Sequence, residues 1–142
     1  KTNSKNIFWI NITHPFTQIS TIKKAFEILN LDNGKFDSVF TSHSWLGHAS
    51  YNETLDQPLN YKLNNSFSQT QFMKKIFLIT YGIMAWDTKS FLSRYKISGA
   101  GMLNGNPQTI NVSRLESIWI KNKEDLEMVN KIVSNKNIWD FI

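Results

Sequence analysis

The chain contains no cysteine. That excludes disulfides, zinc–thiolate centres and a cysteine nucleophile from its 142 residues, and it is compatible with a cytoplasmic location. Arginine is nearly missing as well, occurring only at Arg94 and Arg114. Arginine is the side chain that most often reads base edges. Sequence-specific DNA binding is therefore disfavoured, although a net charge of +5 would attract phosphates. The lysines behind that charge are scattered (Lys23/Lys24, Lys74/Lys75, Lys121/Lys123, Lys131/Lys136) and form no basic run. They suit a solvated surface or a site for a small anion, with no nucleic acid as partner. No apolar run approaches the roughly 20 residues that cross a bilayer. The basic, apolar and small-residue succession of a signal peptide is also missing, so no membrane partner is expected. The first residue is lysine rather than methionine, which fits a piece of a longer polypeptide.

What is present suffices for a core: 41% of residues are hydrophobic, 13% are aromatic, and five are tryptophan. The length suits a single domain over residues 1–142, given about 100–200 residues per domain. Ile7-Phe8-Trp9-Ile10 reads as a strand buried on both faces, as in a parallel sheet. It runs into the turn Asn11-Ile12-Thr13-His14-Pro15-Phe16. Ser20–Asn30 carries a helical stripe of Ile22, Ala25, Phe26 and Leu29, with Ser20 or Thr17 as cap and Asp32-Asn33-Gly34 as stop. Lys35–Ser42 follows as a second strand, completing a βαβ unit. His43–Phe67 loses periodicity and is rich in turn formers, so short antiparallel strands and exposed aromatics are expected.

Ile76-Phe77-Leu78-Ile79 reads as another buried strand, continued after Tyr81-Gly82 by Ile83-Met84-Ala85-Trp86. Gly82 inside it signals a kink or a close approach to the backbone. Thr88–Tyr95 reads as a helix capped by Asp87 or Thr88, and the glycine-rich Ser98–Pro107 as a loop or hairpin. Ser117-Ile118-Trp119-Ile120 reads as the last strand. Asn122 then caps a helix from Lys123 to about Val133, whose buried stripe is Leu126, Val129, Ile132 and Val133. Trp139 and Phe141 are expected to fold back onto the domain. The result is an α/β fold: a mixed, mostly parallel sheet with flanking helices.

Ligands in open α/β sheets bind at the carboxyl ends of strands, and Asn11, Thr13 and His14 gather at such an end. His14 has a side chain suited to general-base work and, preceding Pro15, is held extended, pointing into a cleft or solvent. An Asn at this place equally serves as a turn former. His43, His48 and Asp56 are near enough in sequence for a metal pair, though no helix is expected to align them. Trp119 reads as core rather than as a stacking surface. Asn-x-Ser/Thr triplets at Asn11, Asn52, Asn64 and Asn111 are of the kind that arise by chance in an Asn-rich chain.

Several segments in order resemble the cytidylyltransferases that make CMP-activated sugar acids. Ile10-Asn11-Ile12-Thr13-His14-Pro15-Phe16 is similar to the family's strand-end N/Q-P-T-S-P-L/F. Phe36-Asp37-Ser38-Val39-Phe40-Thr41 is similar to its yDSvfSv strand, and Pro58-Leu59-Asn60-Tyr61 to the segment before its R-x-Q-D-L-P, which here reads Gln69-Thr70-Gln71-Phe72-Met73-Lys74. Ile79-Thr80-Tyr81-Gly82-Ile83-Met84 resembles its xNGaiYi strand. Ser117-Ile118-Trp119-Ile120 with Glu124-Asp125-Leu126 resembles its D-I-D-t-x-x-D-l element.

The resemblance implies a nucleotide-diphosphosugar-transferase-like domain, of which this chain matches the C-terminal two-thirds and is thus a partial domain. It implies transfer of CMP from CTP to a sugar acid of the sialic-acid type, with magnesium bridging triphosphate and acidic side chains and with pyrophosphate released. It implies nucleotide and sugar-acid ligands near Asn11, Thr13, His14, Gln71, Tyr81, Gly82 and Lys121, and a homodimer, with Ser98–Gln108 and its Met102 as the expected contact. The family's PARxGSKxxxxKN loop has no counterpart here, and its metal-binding aspartates fall at Trp119 and Lys121. Magnesium wants oxygen ligands, so no metal ligands are expected in this chain, and Lys121 stands to hold an anion instead. The alternative is a catalytically inactive relative serving as a binding or assembly module.

Overall fold

The computed structural model describes residues 3–31, 34–63, 69–103 and 105–135. The expected stop at Asp32-Asn33, the turn at Asn64-Asn65, and the packing of Trp139 and Phe141 lie outside the described residues. In chain order the elements are β1 (Asn6–Ile10), α1 (Ile19–Leu31), β2 (Ser38–Trp45), a 3₁₀ turn (Thr70–Phe72), β3 (Ile76–Asp87), α2 (Thr88–Ser98), β4 (Pro107–Asn111) and α3 (Lys123–Ser134). The strands form one sheet in the order β1-β3-β2-β4. β3 is antiparallel to both β1 and β2, while β2 and β4 are parallel. Three of the four strands therefore point the same way, but only the β2–β4 pairing is parallel. The sheet is mixed, and the expected βαβ unit exists in split form, with β3 inserted between β1 and β2.

Alternating side chains sort onto the two faces. Val39, Ile83, Ala85, Ile110 and Val112 pack with Ala25 and Leu29 of α1. Phe40, Met84 and Trp86 form a second cluster, against which Ile7, Tyr81 and Phe91 of α2 pack. The result is a helix–sheet–helix sandwich.

Both later helices carry the caps read from sequence. The Asp87 carboxylate accepts the Ser90 amide at 2.8 Å, and α2 ends on Gly99 in the left-handed conformation, φ 68°. Asn122 and Asp125 form a reciprocal capping box at α3. Asn122→Ala should cost about 1 kcal/mol of α3 stability. Amide exchange along α3 reads that loss, because Val129 is this helix's buried residue. The stripe expected there is mostly uncovered: Leu126 and Val133 are exposed.

Several expectations are corrected. β1 is an edge strand, and Trp9 and Ile10 are 56% and 46% exposed. An all-apolar run does not distinguish an edge from a centre. In β3, Phe77 and Leu78 are likewise exposed. α1 is capped by neither Thr17 nor Ser20: the Thr17 hydroxyl donates to the His14 carbonyl, and Ser20 lies inside the helix. β2 starts later and extends through His43 to Trp45. Between Ala49 and Leu59 the short antiparallel strands expected reduce to one bridge, Ser50 to Pro58, with the aromatic Tyr51 exposed as anticipated.

Residues 117–120 form no strand. The sheet position is taken by β4, which begins on a proline where no ladder donor is needed and buries only Ile110. The kink at Gly82 is real. The β2–β3 register changes from Phe40 opposite Met84 to Ser42 opposite Ile79, so β3 carries three extra residues. Tyr81, with φ 58°, sits within them. Thr41 supports the bulge: its hydroxyl oxygen accepts the Ile83 amide at 3.0 Å and the Thr80 hydroxyl at 2.9 Å.

Candidate functional site

Because β1, β2 and β4 point the same way, their carboxyl ends share one edge of the sheet. β1 leaves that edge through a loop with a fixed shape. The Asn11 amide donates to the Gly82 carbonyl at 3.0 Å, and the His14 amide to the Asn11 carbonyl at 3.1 Å. The Asn11 side-chain oxygen accepts the Thr13 amide (3.1 Å) and the Thr13 hydroxyl (2.8 Å). Those two donors fix which end of the carboxamide is oxygen. The Asn11 Nδ2 group is left without a hydrogen bond to the described residues, as a donor pair for something else. The Thr13 carbonyl accepts the Ile120 amide at 2.9 Å, which ties the loop to the segment before α3.

His14 does not face the cleft. It is 3% exposed, and its ring lies on Gly82, where an added Cβ would come within 3.3 Å of Cδ2. On the other side it stacks on Trp119, ring centroids 5.7 Å apart and 22° between planes. Neither ring nitrogen has a hydrogen-bond partner. Burial pushes its pKa below the ordinary value, and a weaker influence of the Thr80 backbone opposes that shift. A nitrogen sealed in this way has no access to a substrate proton, so the general-base reading is withdrawn. The Pro15 restriction fixed its backbone but said nothing of which side the ring would take.

Trp119 also carries Lys121, whose Nζ lies 3.7 Å from the ring centroid. This is a cation–π contact, and it places an ammonium at the end of the Gly82–His14–Trp119 stack. The Lys121 amide donates to Asp125 Oδ2 at 2.8 Å. The structure thus brings together Asn11, Thr13, His14, Gly82 and Lys121. It does not bring in Gln71, which lies exposed in the 3₁₀ turn and donates to Gln69. Tyr81 packs against the Phe40–Met84–Trp86 cluster and serves the core.

The residues suggested for a metal pair diverge. His43 Nδ1 lies 3.2 Å from the Val112 carbonyl, and the His48 ring meets Tyr61 edge-on. Asp56 is bound by Asn52 and Thr54, hydrogen bonds that hold its carboxyl below the usual range. No group of three or more His, Cys, Asp or Glu side chains able to hold a metal occurs among the described residues. The donor set at Trp119 and Lys121 does not fit magnesium.

Two residues of the site were missed in the sequence. Trp119 is one, since an aromatic in an apolar run reads as core. The other is Glu116, 7% exposed, whose Oε1 accepts the Gln18 amide at 3.1 Å. The carboxylate answers the positive end of α1. Beside it, Gln18, Ser20, Lys24, Asn111 and Ser113 line a shallow pocket of about 280 Å³. A lone glutamate in a turn carries no sequence signal for this position.

No protein-family model and no curated protein matches the chain. Among solved structures, the crystal structure of 4-diphosphocytidyl-2C-methyl-D-erythritol synthase from Anaerococcus prevotii matches 95% of this chain with a TM-score of 0.61 at 12% sequence identity. The two share the mixed α/β architecture over nearly the whole of this chain. The likeness is one of architecture, and this chain spans 61% of that protein's length. No helix among the described residues is long and apolar enough to cross a membrane.

Proposed function

We propose that the chain is the acceptor-side part of a cytidylyltransferase-like unit. In this reading it holds a sugar acid and a cytidine nucleotide at the β1 strand end during transfer of CMP from CTP. The observation that carries it is the Asn11 carboxamide: its oxygen is committed to Thr13, and its NH₂ group is uncommitted at the carboxyl edge of a nucleotidyltransferase-type sheet. The Asn11 Nδ2 donors contact the sugar acid, and Lys121 balances a carboxylate or phosphate. Transfer joins the anomeric oxygen to the α-phosphorus and expels pyrophosphate. The groups that would stabilise that charge come from polypeptide other than the described residues.

A second reading, a binding module without activity, is favoured by one observation: Trp119 and Lys121 stand where the resemblance places metal aspartates. Calorimetric titration with CTP, with and without Mg²⁺, combined with a pyrophosphate-release assay over a panel of sugar acids, separates the two. Binding without turnover selects the module. Neither heat nor pyrophosphate removes both. Asn11→Ala should weaken binding about tenfold, the worth of one lost hydrogen bond to a charged ligand group, and Lys121→Ala should do likewise. Unchanged affinity in both variants removes this edge as the site.

A further inference from the structure

We propose that His14 is an acid-sensitive latch that holds the Asn11–Phe16 loop against the Ile118–Ile120 segment and releases it on protonation. The inference stands on how the ring is housed. Its nitrogens are buried and make no hydrogen bond of ordinary length and angle. On one side lies Gly82 of β3, with the Thr41 hydroxyl of β2 beside it. On the other side lies Trp119. Thr80 contributes the backbone influence described above.

The charged groups around the stack work in one direction. Lys121 Nζ lies 3.7 Å from the Trp119 ring centroid, so a second cation at His14 would share one indole with it. The Glu116 carboxylate is engaged by the Gln18 amide. An imidazolium in this housing gains no ion pair, and the hydrogen-bonding influence of the Thr80 backbone that favours it is outweighed by desolvation. The lower-energy response to acid is to leave. Two backbone bonds move with the ring: Asn11 amide to Gly82 carbonyl, and Ile120 amide to Thr13 carbonyl.

The sign follows from linkage. The folded-state pKa lies below the unfolded value of about 6.5. The latch is therefore fully closed above that value and weakens as pH falls towards the folded-state pKa, because the open state binds the proton more tightly. That the released loop also carries the ligand site rests on the function proposed above; the latch itself does not.

The test is an NMR titration of the three histidines on the intact chain, with His14→Gln assigning the His14 resonance. Should that variant fail to fold, contacts of the ring protons with the Trp119 indole assign it in the native protein. The expected midpoint lies below 6.5. Exchange at the Ile120 amide, corrected for its intrinsic pH dependence, should rise about tenfold per pH unit below 6.5. Trp119→Leu should return the His14 midpoint towards the ordinary value. A His14 midpoint at or above 6.5, or Ile120 exchange that ignores pH, overturns the latch. CTP affinity that falls with the same midpoint extends it to the ligand site. If CTP binds at no pH, the functional reading fails while the NMR titration still decides the latch.

Discussion

Gly82→Val should destabilise the protein by about 3 kcal/mol and displace His14 from its seat. The backbone does not forbid a side chain here; the neighbours do. A Cβ would lie 3.3 Å from both His14 Cδ2 and Thr41 Oγ1 and 3.4 Å from His14 Cγ, which is tight before valine adds two methyl groups. Overpacking of a filled interior costs 1–3 kcal/mol, and here it also presses on the threonine hydroxyl that accepts Ile83's amide. Alanine, with the single Cβ, should cost about 1 kcal/mol. Urea denaturation measures the loss, and the His14 resonance reports the displacement by titrating near its ordinary value. A valine variant of native stability with an unshifted His14 would show that the close approach is not structural.

Asp37→Ala should cost about 3 kcal/mol. Asp37 pairs with Arg94 of α2 at 2.6 Å, with both side chains four-fifths buried. Its Oδ1 accepts the Ser38 hydroxyl (3.0 Å) and the Asn106 amide (3.1 Å). It therefore clasps the start of β2, helix α2 and the approach to β4. Truncating it leaves a guanidinium whose Nε and Nη2 already lack partners, and breaking a buried pair from one side typically costs 3–5 kcal/mol. Gly105 belongs to the same clasp: with φ 125°, an added Cβ would sit 2.5 Å from Asp37 Oδ2. The double variant Asp37→Ala/Arg94→Met should recover at least half the loss, because no orphan charge remains. A double variant as unstable as the single one would place the cost in the Ser38 and Asn106 bonds instead. The aspartate that resembles a family motif is thus a fold determinant at the opposite end of β2 from the candidate site.

The helices were legible because a 3.6-residue stripe and a polar cap are both local features; Asp87 and Asn122 are where the sequence puts them. The sheet was less so. Three extra residues in β3 are an odd number, so side-chain alternation changes phase against β2 across the bulge. No single period-2 pattern spans it, and the apolar Ile76–Ile79 run read as buried when much of it is exposed. Pairing partners are likewise non-local, which hid the edge position of β1 and the inserted β3. At the site, Asn11, Thr13 and Gly82 were legible from a strand end and an interrupting glycine. The ring direction of His14 was not, because it depends on a gap opposite Gly82 and an indole a hundred residues downstream. Gln71 and Tyr81 came only from the resemblance, and they belong to a surface turn and the core.

The edge position of β1 governs how the site comes and goes. Its sheet partner is β3, with Asn6 opposite Asp87 and Ile10 opposite Ile83. Closing so large a loop is entropically expensive, and contacts so distant in sequence form slowly. β2, β3 and β4 share the buried centre and constitute the stable unit. β1 is laddered on one edge alone, and the loop it carries is anchored by the buried rings of His14 and Phe16, with Phe8 of β1 stacked on Phe26 of α1. Asn11 and Thr13 are therefore in place only while His14 and Phe16 keep their seats in the interior.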